Sequence, residues 1–129
     1  MQYLLLIYEN EKRFSKGYPE SEMAEYQAFG KEFGSAIKGG NALQPTGSAA
    51  TVRIRDGKVL STDGPFAETK EQLGGILVLE ARDLNHAIQL MSKHPGVKAG
   101  PFEIRPVADL TEMIRESERR RAGAKGKSD

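Results

Sequence analysis

Tyr3 to Tyr8 is an unbroken apolar run. With no polar residue at alternate positions, it predicts a strand covered on both faces. The polar segment "ENEKRFSKGYPE" follows as a loop, and Pro19, Glu20 and Glu22 bring the proline and acidic residues of a helix start. Tyr26, Phe29, Phe33 and Ile37 then recur at three- and four-residue steps, one helical stripe. Gly39 and Gly40 are expected to stop that helix. Inside it, Gly30 and Gly34 flank the stripe, and the favoured reading is close approach of the helix backbone to a neighbouring element.

In "TVRIR", Val52 and Ile54 alternate with Thr51, Arg53 and Arg55, the pattern of a strand with one wet face. Asp56 and Gly57 supply a hairpin turn into "KVLST". Ile76 to Leu79 predicts a second fully apolar strand, entered through Gly74 and Gly75. Asp83 can cap a second helix that buries Leu84, Ala87, Ile88 and Met91 and ends at "HPG". In "PFEIRPV", Phe102 and Ile104 alternate with Glu103 and Arg105, and Pro106 points to an edge strand or a strand end.

The order predicts an α+β chain of the ferredoxin-like βαββαβ plan, with an extra β-hairpin and a C-terminal helix from about Asp109. Helices cover one face of the sheet in this plan, whereas both apolar strands ask for cover on two. A second copy packed sheet to sheet is the favoured solution. The competing one folds the C-terminal helix back through Leu110, Met113 and Ile114. The expected division is a domain over 1–110, then a C-terminal helix and basic tail over 111–129. After Ile114 the tail is polar and expected to fray; its acids are interleaved with its bases and it has no aromatic residue to stack a base.

Among 129 residues, 38% are hydrophobic and 29% charged, a globular composition. The absence of cysteine removes a disulfide framework, a thiolate zinc site and a cysteine nucleophile. Nineteen basic against 18 acidic side chains leave a net charge of +1, no global field to recruit nucleic acid or an anionic membrane. The opening apolar run is too short to span a bilayer and lacks the basic leader of a signal peptide. A cytoplasmic protein is expected, with no membrane or nucleic-acid partner.

Chemistry concentrates after the hairpin. Asp63, Gly64, Pro65 and Phe66 form a turn in which glycine supplies conformational freedom, proline fixes its own φ and aspartate can bond nearby backbone. Phe66 is expected to anchor the loop by burial. Glu68, Thr69, Lys70, Glu71 and Gln72 then crowd hydrogen-bonding groups together. Two readings stay open, a solvated turn joining strands and a small polar site on the rim of the sheet. In the second, Asp63 is the candidate general base, Glu68 and Lys70 polar contacts, Phe66 an apolar wall and Tyr8 a further ligand contact.

His86 beside the Asp83 cap reads as a surface or capping residue. His94, before Pro95, is a candidate ligand contact whose imidazolium would suit the negative end of the second helix. The two are eight apart with no cysteine near, which matches no ordinary zinc spacing, so no metal is expected. Neither a phosphate loop nor a serine elbow occurs, and no cofactor is implied.

"DGPFAETKEQLGG" at Asp63 to Gly75 resembles the signature of the DGPF family within the YCII-related proteins, of the dimeric α/β-barrel group. The similarity runs from "MQYLLLIYE" through "TVRIRDGKVLSTDGPF" to "GPFEIRPVADL". It implies a ferredoxin-like protomer, a sheet-to-sheet homodimer forming a barrel, and a cleft beside the DGPF loop; the leading expectation is that this cleft binds a small polar or aromatic metabolite. Lyase-like acid/base chemistry is suggested for some relatives; others resemble regulatory accessories of extracytoplasmic-function sigma factors. The histidine and aspartate pair of those relatives uses an N-terminal histidine that this chain lacks.

Overall fold

In a computed structural model, residues 1–14 and 17–128 are described. Among these residues six strands and three α-helices follow the order β1 (Gln2–Glu9), α1 (Glu20–Phe33), β2 (Ile37–Ala42), β3 (Ala50–Arg55), β4 (Lys58–Asp63), β5 (Gln72–Glu80), α2 (Leu84–Met91), β6 (Phe102–Pro106) and α3 (Thr111–Ser128). An antiparallel sheet runs β2-β5-β1-β6, and β3-β4 forms a separate hairpin. This is the ferredoxin-like core with the hairpin inserted between its second and third strands.

The apolar runs take the centre of the sheet because each is flanked on both sides. Tyr3, Leu5 and Ile7 face Leu79, Leu77 and Gly75 across the β1/β5 pair. Leu5 and Leu79 are fully buried, each stabilising the fold by about 1.5–3 kcal/mol relative to exposure. Phe29 from α1 and Ala87 and Met91 from α2 close over them. β6 lies at an edge, where Pro106 forfeits no donor the sheet needs.

Local signals placed several elements correctly. Asp56 and Gly57 both adopt positive φ in the hairpin turn, as the two central residues of a type I′ turn must. Asp83 caps α2, its side chain accepting from the His86 amide at 2.8 Å. The buried face of α2 is narrower than expected: Ala87 and Met91 are buried, whereas Leu84 and Ile88 are exposed.

The first helix departs further from expectation. It ends at Phe33, and after a 3-10 turn at Gly34–Ala36 the chain enters β2 at Ile37. Gly39 and Gly40 therefore lie inside a strand rather than stopping a helix. A Cβ on Gly40 would collide with the Ile76 carbonyl and the Leu77 backbone, so only glycine lets these strands meet there. Gly30 and Gly34 show no such approach, since a Cβ on either would point into open space. Gly74 and Gly75 are likewise interior to β5. The register slips between Ile7/Gly75 and Tyr8/Leu73, leaving Gly74 as the bulged residue.

Beyond Ile114 the helix continues to Ser128, where fraying was expected; Asp129 lies outside the described residues. Leu110, Met113 and Ile114 are all exposed, so α3 does not bury them against the sheet.

Candidate functional site

The small residues of β2 and β5 line up. Ala42 pairs with Gly75, Gly40 with Leu77, and Gly75 with Ile7. These positions share the face that carries α1, since partners across a ladder point the same way. Without side chains on Gly40, Gly74 and Gly75, the sheet has a bare floor beneath the N-terminal half of α1. A cavity of about 350 Å³ opens there, walled by Glu9, Tyr18, Met23, Tyr26, Asn41 and His94. Its size suits a single-ring ligand.

Glu9 closes β1 with its carboxylate against Gly74, so a Cβ on that glycine would overlap the carboxylate. Burial raises the Glu9 pKa above the ordinary carboxylate value; Glu11 and Glu22 push the same way and Arg13 opposes them. The tyrosines feel the same surroundings. Burial first, then Glu22, pushes Tyr26 up to about 12, and burial with Glu9 and Glu22 raises Tyr18. Their rings meet edge to face with centroids 6.2 Å apart. Arg13 reaches Glu22 Oε1 at 3.0 Å. The second oxygen, Glu22 Oε2, is buried with no hydrogen-bond partner among the described residues, a costly state for a charged group.

His94, a candidate ligand contact from the sequence, lines this wall, but not as an imidazolium. It is buried at 7% exposure amid the rings of Tyr26, Phe29 and Phe102. Desolvation lowers its pKa to about 4, so at neutral pH the ring is an uncharged imidazole, and the expected imidazolium is corrected. Nδ1 accepts from the Gly96 amide at 3.0 Å, which leaves the ring proton on Nε2.

The other sequence-derived candidates stand elsewhere in the chain. Tyr8 alternates with Ile7 and Glu9, so its side chain belongs to the opposite face of the sheet. Asp63 ends β4 opposite Ala50, exposed to solvent. Gly64, at φ 101°, donates its amide to the Ala49 carbonyl, and its own carbonyl accepts from the Thr51 hydroxyl. These bonds give the DGPF turn a role in closing the hairpin base. Phe66, expected to be buried, is 80% exposed, with the Arg53 guanidinium 5.3 Å from its ring centre. Glu68 is exposed. Lys70 borders a separate polar groove with Asn10, Glu11, Thr46, Thr69 and Gln72. Within one chain, therefore, only His94 of the expected set lies on the cavity wall. His86 accepts from the Arg82 amide at 3.0 Å beside its cap, as a capping-end residue should.

Sequence reasoning did not find Glu9, Tyr18 or Tyr26 as site residues. Their signal is non-local: paired small residues in adjacent strands, with a carboxylate at the end of the next strand. Among the described residues, no cluster of three or more metal-ligating side chains occurs and no helix is long and apolar enough to cross a membrane.

A ferredoxin-like sheet with an acidic, tyrosine-walled cavity under its first helix thus defines the protein. The chain belongs to the YCII-related domain family, whose model matches residues 1–111. It is 36% identical over 117 residues to an uncharacterized protein of Rhizobium meliloti (strain 1021), spanning 84% of this chain and 93% of that one. Among solved structures it is similar to 5-chloro-2-hydroxyhydroquinone dehydrochlorinase from Burkholderia phenoliruptrix AC1100, in complex with 2,5-dihydroxybenzoquinone. There the TM-score is 0.47 and the identity 14%, over 84% of this chain and 94% of that one.

Proposed function

We propose that the protein binds a small ring-bearing metabolite in the cavity between β1, β2, β5 and α1, and that Glu9 is the group that receives or returns a proton there. One observation carries this reading. A partly buried carboxylate with a raised pKa stands on the wall of a concave aromatic site, the combination that marks acid/base chemistry on a bound ligand. Neutral His94 serves as a hydrogen-bond donor through Nε2, and the tyrosine hydroxyls stay protonated.

We further propose that the working form is a homodimer. Leu4, Leu6, Tyr8, Ile76 and Val78 form the sheet face away from α1 and α2, and each keeps partial exposure. With the apolar residues of α3 turned to solvent, a second copy is the cover that this face lacks.

The test compares ligand-induced thermal stabilisation across a metabolite set in the wild type, Ala42→Phe and Asp63→Ala. Phenylalanine at 42 fills the cavity from an edge strand. Hits lost in Ala42→Phe and kept in Asp63→Ala place binding in the cavity. The opposite pattern moves the site to the DGPF loop, with Asp63, Phe66, Glu68 and Lys70 as its contacts.

A further inference from the structure

The cavity wall has a one-sided charge. Among the described residues its ionisable members are Glu9, two tyrosines and His94, with no lysine or arginine. Burial keeps both tyrosines in their neutral form and His94 uncharged, so at neutral pH the one formal charge on the wall is the Glu9 carboxylate. Behind it stand two more carboxylates. Glu11 is held by the amide and hydroxyl of Thr46 at 2.7 and 2.8 Å, and Glu22 faces the guanidinium of Arg13. Among the described residues, Glu11 and Glu22 raise the Glu9 pKa and Arg13 lowers it.

A second observation concerns one of these carboxylates. Among the described residues no donor reaches the buried Glu22 Oε2, an acceptor in surplus behind the wall. The third is the shape of the wall. Tyr18 and Tyr26 stand edge to face at 85°, and both rings line the cavity with Met23. A tyrosine ring face beside a carboxylate attracts a cationic head through its quadrupole, and the apolar floor accepts its hydrocarbon body.

Resting on the cavity reading above, we propose that the ligand is a small organic amine, bound as its ammonium form with the charged head at Glu9 and the tyrosine rings and the apolar body over Gly40, Gly75 and Ala42. Carboxylates and phosphates are excluded by the same charge. An anion in the cavity would meet the Glu9 carboxylate and, among the described residues, no lining cation.

Three probes of matched shape test this: phenethylamine, 2-phenylethanol and phenylacetate, titrated calorimetrically into the wild type, Glu9→Gln and Ala42→Phe, with folding checked by circular dichroism. The expected order in the wild type is amine about tenfold tighter than alcohol, with phenylacetate weakest. Glu9→Gln abolishes most of the preference for the amine while leaving the alcohol unchanged. Phenylacetate binding as tightly as the amine overturns the inference, as does undiminished amine preference in Glu9→Gln. If the alcohol binds the wild type but not Ala42→Phe and the amine is no tighter, the cavity stands and the amine falls. If no probe distinguishes the wild type from Ala42→Phe, both readings fall.

Discussion

The carboxylate of Glu9 rests on Gly74, occupying the space that any other residue at 74 would need for its Cβ. One is the last residue of β1, the other the bulged residue of β5. The bulge bends the strand and the missing side chain receives the carboxylate, so the position of the acid is set by its neighbour's lack of a Cβ.

Gly74→Ala should therefore move an acid without unfolding a protein. The atoms in the way are the far end of a flexible side chain, so the stability change should stay below about 1 kcal/mol. Glu9, pushed off its partly buried seat, should titrate closer to the ordinary carboxylate range. Carbon-detected NMR titration of the Glu9 carboxyl reads this directly; an unchanged midpoint in the variant would show that the bulge does not position the acid.

Gly40→Ala should behave differently. What a Cβ meets there is backbone, the Ile76 carbonyl and the Leu77 Cα, and Gly40 also sits at φ 153°. Neither neighbour can rotate away, so the strands must part. We expect a loss of about 1–3 kcal/mol in urea denaturation, the range for forced overpacking. Equal effects for Gly40→Ala and Gly74→Ala would contradict the distinction between backbone and side-chain contact.

His94 makes stability depend on pH. Its folded pKa, about 4, lies below the ordinary 6.5 because burial disfavours the charged ring. Between these values the unfolded chain binds the proton and the folded chain does not. Stability is fully present above pH 6.5 and is lost as pH falls toward 4, by ~3 kcal/mol at most for a shift of this size. His94→Phe keeps an aromatic ring in the nest and removes the titration. Its denaturation midpoint should vary less between pH 4 and 6.5 than that of the wild type; parallel pH profiles would assign the acid sensitivity elsewhere.

Chain-local chemistry was legible in the sequence. The Asp56-Gly57 turn and the Asp83 cap each depend on residues within a few positions of one another, and the two apolar runs announced the central strands. β2 was not legible. Ile37-Lys38-Gly39-Gly40-Asn41-Ala42 has neither alternation nor β-branched density beyond Ile37, and its glycines look like a helix stop until β5 is laid beside them. The site failed for the same reason. Tyr26 continues the helical stripe of Phe29 and Phe33, and Glu9 looks like the first loop residue after a strand. Only the meeting of β2, β5 and α1 turns them into a wall. The DGPF segment drew notice through its density of polar groups, but in one chain its Gly64 backbone closes a hairpin while Phe66 remains in solvent.

The uncovered sheet face gives the last prediction. Leu6 lies on the central strand β1, paired with Ile76 on one side and Glu103 on the other, and its side chain belongs to the face opposite α1. Arginine at this position would bring one charge from each copy toward the middle of a symmetric sheet-to-sheet interface, where burial of an unpaired charge costs several kcal/mol. In the isolated chain the same side chain can extend into water, so folding should survive. Sedimentation velocity should accordingly show a dimer for the wild type and a folded monomer for Leu6→Arg. A monomeric wild type at micromolar concentration would remove the sheet-to-sheet dimer. A Leu6→Arg protein that remains dimeric would move the interface to another exposed apolar surface, such as the hairpin face of Val52, Ile54 and Val59.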